Sequence, residues 1–170
     1  MTNDILNAIR EKLKDVFTDL RSCEVHPGRF TLKELKSTSA KSPAARVSCL
    51  GTAKNINMAN GQVKSEKQFV VYFVTKDKSG LSKDDAIRNL VDDMTLLLDS
   101  DMTRWLPGTG APSNVKDDNL YSSEIDRQGV MLWAVSWRQT ITLGDDQFIE
   151  DGTIPTEIYA GPNDGTYEKL

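Results

Sequence analysis

The stretch Gln68 to Lys76, Gln-Phe-Val-Val-Tyr-Phe-Val-Thr-Lys, constrains this chain more than any other. Its six consecutive apolar residues, Phe69 to Val74, are all aromatic or β-branched, types that favour an extended backbone. The run has no polar alternation, and a strand that is apolar on both sides needs cover on both sides. It therefore predicts a central strand. It is also the longest strongly apolar stretch present, far short of the roughly 20 residues a membrane-spanning helix needs.

Two amphipathic helices supply cover for such a strand. Ile5, Leu6, Ile9, Leu13, Val16, Phe17 and Leu20 recur at spacings of three and four, which predicts a helix from Thr2 to Leu20 capped by Thr2 or Asn3. Ser82-Lys-Asp-Asp85 opens a second helix in the manner of a capping box, with Ala86, Ile87, Leu90, Val91, Met94, Leu97 and Leu98 as its buried stripe and an end near Asp99.

Further strands are expected around the central one. Cys23 to Val25 reads as a brief strand ended by the His26-Pro27-Gly28 turn. Phe30 to Lys36 reads as a helical turn or two, and Ser37 to Pro43 as a loop. Ala45 to Ala53 alternates as a strand and joins Gln68 to Lys76 through Asn60-Gly61, a strong hairpin signal. The long polar-tipped hairpin so formed carries Lys54, Lys64 and Lys67 on its arms. After the turn-rich connector Trp105 to Pro112, strands at Val115 to Ile125 and Val130 to Leu143 are expected to meet in a tight turn at Asp126 to Gly129. The sum is an α+β fold: a small, mostly antiparallel sheet with a long hairpin, packed by two amphipathic helices.

Charge divides the 170 residues in two. From Gly144 to Leu170 seven acidic residues face one lysine, a net of −6, so residues 1–143 carry +2 of the whole chain's −4. The expected organisation is an α+β core over 1–143 and an acidic extended arm over 144–170, which is either a plain disordered tail or a segment that sparse apolar residues such as Phe148, Ile154 and Tyr159 anchor along a partner. The overall acidity argues against nucleic-acid binding as the main activity, and the charged N-terminal segment does not resemble a secretory signal, so the expected setting is the cytosol.

No segment reads as a catalytic or metal centre. His26 is the lone histidine and is expected on a surface turn. Cys23 and Cys49 are expected as unbridged thiols, Cys23 lacking the further ligands or bases that would make a site with His26. Asp84 and Asp85 suit the positive start of the second helix, Asp92 and Asp93 its solvent face, and Asp117-Asp118 and Asp145-Asp146 loops. Leu106-Pro-Gly-Thr-Gly110 matches a sortase sorting signal but lacks the apolar span and basic tail that must follow it, and so reads as a loop. Trp133 and Trp137 share one strand face and belong in the core. Trp105 either caps that core or anchors an interface. No cofactor or metal is expected.

The segments Ile5 to Leu13, Val25-His-Pro-Gly28, Pro43-Ala-Ala-Arg-Val-Ser-Cys-Leu-Gly51 and Trp137-Arg-Gln-Thr-Ile-Thr-Leu143 together resemble the tail terminator, or tail completion, proteins of tailed bacteriophages, notably the Mu-like contractile type and related phage-tail-like bacteriocins. The resemblance covers residues 1–143. It implies a virion protein that forms a hexameric ring, caps the tail tube, ends tube and sheath growth, and docks the neck or connector proteins. DNA would pass its lumen without specific binding, and no membrane is involved. Interface candidates are Lys54, Asn60, Lys64, Lys67, Trp105, Phe148, Ile154 and Tyr159. A head completion or connector adaptor protein is the nearest alternative, and a small cytosolic enzyme a remote one.

Overall fold

A computed structural model of the chain describes residues 1–77, 82–100 and 104–148, together with the backbone of 159–160 and 168–169. The apolar run lies in β3 (Val63–Lys76), in the middle of a five-stranded sheet. It pairs antiparallel with β2 (Ala44–Asn57) on one side and β5 (Val130–Leu143) on the other. β1 (Ser22–Val25) joins the outer side of β2, and β4 (Ser113–Asn119) that of β5. The β1–β2 pair is parallel. The crossover between these two strands contains a helix, α2 (Leu32–Ser39), which carries the chain back to the starting end, as parallel neighbours require.

Both faces of β3 are covered over its second half, as the unbroken apolar run demands. On one face Phe69, Val71 and Phe73 meet Ile5, Ile9 and Leu13 of α1 (Thr2–Val16) and Ile87, Val91 and Met94 of α3 (Lys83–Asp99). On the other, Val70, Tyr72 and Val74 meet Leu35 of α2 and Ile125 of a single-turn helix, α4 (Ser123–Asp126). None of these six strand residues is more than 6% exposed, and burying each side chain is worth about 1.5–3 kcal/mol.

Several elements differ from their expected bounds. α1 stops at Val16 because Phe17 leaves helical geometry, at φ −99° and ψ 73°, and its ring packs 5.9 Å from Phe73. Neither Thr2 nor Asn3 caps it, since Met1 holds the cap position without a side-chain bond. α2 runs on to Ser39, into the expected loop, from a capping box between Thr31 and Glu34. The strand expected over Val115 to Ile125 ends at Asn119. Ser122 Oγ accepts the Ile125 amide and starts α4, which turns Ile125 into the second core, so a longer excursion replaces the tight turn at 126–129. Asp117 and Asp118 therefore lie on a strand, and Asp117 Oδ1 accepts from Trp133 Nε1 at 3.2 Å. The cap of α3 is as expected: Ser82 Oγ accepts from the Asp85 amide at 3.1 Å.

The β2–β3 hairpin turns at Asn60-Gly61, with Gly61 at φ +82°, where an L side chain is strained. Asn60 Oδ1 accepts from the Gln62 amide, and Met58 N donates to Gln62 O. Beyond Leu143 the chain stays on this turn: Gln62 Nε2 donates to Gly144 O at 3.3 Å and Gln147 N donates to Asn60 O at 2.9 Å. Ile154 falls outside the described residues, and of Tyr159 only the backbone is described, in the short pair β6 (Tyr159–Ala160) with β7 (Glu168–Lys169).

Candidate interaction surface

The two small helices cover only part of their face of the sheet. Toward the hairpin tip that face carries Lys64, Glu66 and Gln68 of β3 and Arg138, Thr140 and Thr142 of β5, each at least partly exposed. Strand alternation then decides where the three hairpin lysines go. Lys54 pairs in register with Glu66 and Ile56 with Lys64, which puts Lys54 and Lys64 in one groove of about 590 Å³ on this open face. Lys67 is one position off that alternation and bonds Thr52 Oγ1 at 2.6 Å.

One wall of the groove comes from the segment that looked like a sorting signal. Gly110 N donates to Thr140 O, Thr142 N donates to Gly108 O, and Thr109 forms a bridge with Ile141. What the sequence presented as a loop is thus a short added edge on β5, with Gly108 at φ +82° making the bend and Thr109 buried. Trp105 holds this segment from beneath. Its Nε1 donates to Gln139 Oε1 at 2.8 Å, the same oxygen accepts from Trp137 Nε1 at 3.1 Å, and Gln139 Nε2 donates to Gly110 O. Trp105 thus caps the core, one of its two expected roles, with its ring 6.3 Å from that of Trp137.

The open face is cationic. Glu66 pairs with Arg138 at 3.6 Å, while Lys54, Lys64 and Lys116 have no ion-pair partner among the described residues. Lys116 and Arg138 line a second recess of about 200 Å³ beside the first. Four cations thus line the two recesses with Glu66 as their carboxylate, Asp118 stands farther along β4 on the same face, and Ile56, half exposed, gives the groove an apolar spot. At the tip, Asn60 is used up in shaping the turn, and Phe148 just beyond it is 74% exposed.

Among the described residues, nothing pairs with the outer edges of the sheet at β4 or at the outer half of β2. β4 is exposed at every position, and β1 covers β2 only as far as Val47, leaving Gly51 to Asn57 exposed. Register shifts at Cys49/Gly51 and Thr52/Lys54, and another between Ser113 and Lys116, interrupt these edges as edge strands commonly are.

A buried polar network at the other end of the sheet went unread in the sequence. His26, expected on the surface, has a side chain only 10% exposed. Its Nε2 lies 2.8 Å from Glu34 Oε1 and its Nδ1 2.9 Å from Gly28 O. Ser48 Oγ lies 3.5 Å from Nδ1, giving the order serine, histidine, carboxylate of a nucleophilic triad. The hydroxyl, however, is fully buried and donates to the carbonyls of His26 (2.7 Å) and Gly28 (2.9 Å), so it ties the turn to β2. Hydrogen bonds from Thr31 and then His26 hold the Glu34 carboxyl down at about 2. Cys23 is buried against Arg10 O, and desolvation pushes its thiol up to about 11, which disfavours the thiolate a nucleophile needs. Both cysteines are free.

No group of three or more His, Cys, Asp or Glu side chains among the described residues is arranged to hold a metal ion. No helix among them is long and apolar enough to cross a membrane. Neither a scan against protein-family models nor a search of curated proteins returns a match for this chain.

Proposed function

We propose that this chain is a structural subunit that assembles edge to edge into a ring and caps a tube-like polymer, as the resemblance to phage tail terminators implies. The observation that carries the reading is the pair of open edges on opposite sides of one sheet, β4 and the outer half of β2, flanking a cationic face. Two different edges on one molecule favour head-to-tail contacts, and such contacts close into rings when the rotation between neighbours divides a full turn. The interrupted register of each edge limits uncontrolled β-pairing while leaving backbone groups for a fitted neighbour. In this reading the open face meets a tube, sheath or neck protein of the particle, and the ring belongs to a virion or a related contractile assembly.

The test is assembly. The purified chain, alone and mixed with preformed tail tubes from the same source, is examined by sedimentation and negative-stain imaging. Rings seated on tube ends and an arrest of tube growth are expected. Rings that bind only a head-side connector would move the protein to an adaptor role, and a monomer indifferent to tubes would remove both readings.

A further inference from the structure

We infer that the cationic groove on the open face is the docking site of this chain's own acidic C-terminal arm, residues 149–170, bound within the same molecule. The inference needs no ring, since it places the arm on this face in the free molecule; in the ring reading, a tube, sheath or neck protein that meets the face displaces the arm.

Three observations converge on it. The first is charge. Lys54, Lys64 and Lys116 lack ion-pair partners among the described residues and with Arg138 line two adjoining recesses whose carboxylate is Glu66, while Asp118 stands beyond them on the same face, in register with Ala134. The arm brings Glu150, Asp151, Glu157, Asp164 and Glu168 against Lys169 alone.

The second is where the arm begins. β5 ends beside Val63, and the chain then crosses the hairpin turn, held by Gln62 Nε2 to Gly144 O and Gln147 N to Asn60 O. Gln147 packs so closely on Gly61 that a Cβ there would overlap its amide. Lys64, the nearest groove lysine, is three residues from that glycine. The arm is thus rooted at one end of the groove.

The third is length. From Lys64 to Gln68 along β3 is about 13 Å at the usual rise of a strand. Residues 149–170 extend to several times that distance even when partly bent. Tethering at the groove's end gives an effective concentration in the millimolar range, so a few exposed ion pairs, individually weak, suffice to hold the arm.

Carbodiimide cross-linking of the full chain, which joins a lysine to a carboxylate directly, tests the inference when a 1:1 mixture of ¹⁵N-labelled and unlabelled protein is used. Links from Lys54, Lys64 or Lys116 to Glu150, Asp151 or Glu157 are expected, within unmixed isotopes, and fading in high salt. Hybrid light–heavy links would place a second copy's arm in the groove and overturn docking in the same molecule. Equal linkage to helix lysines such as Lys12 and Lys33, or no arm links at all, would overturn the groove itself. As a second readout, glutamyl-endopeptidase should cut the arm about tenfold faster in the Lys54→Glu, Lys64→Glu double variant, the loss expected from a few surface pairs. An unchanged rate in a variant that retains its circular dichroism would also refute the inference.

Discussion

Single residues carry two of the arrangements that matter most. Gln139 is 1% exposed, and its one carbonyl oxygen satisfies two indole N–H groups while its amide holds Gly110. Gln139→Leu keeps the volume but leaves both indoles without that acceptor, so a loss of about 3 kcal/mol in urea unfolding is expected, with altered tryptophan fluorescence. A change below about 0.5 kcal/mol would mean that the groove wall is held by other means. At the opposite end, Glu34 has its carboxyl depressed to about 2 by Thr31 and His26. A depressed carboxyl stabilises the fold above its unfolded value, near 4.5, and that contribution fades as the pH falls toward 2. Glu34→Gln should therefore lower stability at pH 6 and flatten the acid limb of the stability profile below about pH 4.5. An acid limb that parallels the parent's would refute the assignment.

At the scale of elements, periodicity was legible wherever burial was regular. Phe69 to Val74 announced a strand covered on both sides, and the stripe from Ile87 to Leu98 announced α3 together with its serine cap. Ser82→Ala should cost about 1 kcal/mol of thermal stability, the usual worth of such a cap. The illegible elements are those whose form depends on contacts distant in sequence. Ser122-Ser-Glu-Ile125 has no pattern long enough to signal a helix, and only the Val70, Tyr72 and Val74 side of β3 gives Ile125 a reason to turn inward. Ile125→Ala should cost about 2–3 kcal/mol in urea unfolding, if that burial is what holds α4 in place. Leu106 to Gly110 looked like a turn because Pro and Gly dominate it, whereas its pairing with Thr140 and Thr142 uses backbone groups that composition does not report. The candidate surface was half legible. The hairpin lysines were visible, and plain alternation already sets Lys54 and Lys64 apart from Lys67, but Arg138 and Lys116 join them only through pairing across β5.

At the scale of the whole molecule, the small helices α2 and α4 cover only part of one face of the sheet, and among the described residues the tip half of that face and both edges stay exposed. A chain that needed only stability would gain from covering them; an assembly subunit needs them free until its neighbours arrive. The charge division fits the same division of labour, a core of +2 with four cations on the open face and an arm of −6 rooted beside it. The most direct test is amide hydrogen exchange on the free chain and on the chain incubated with tail tubes, read at β4 (Ser113–Asn119) and at Gly51 to Asn57 of β2. These edges should exchange quickly in the free chain and slow by at least about tenfold in the assembled one, with the core amides of β3 unchanged. Equal exchange at both edges with and without tubes, under conditions where the two proteins bind, would contradict the claim that the open sheet is the assembly surface.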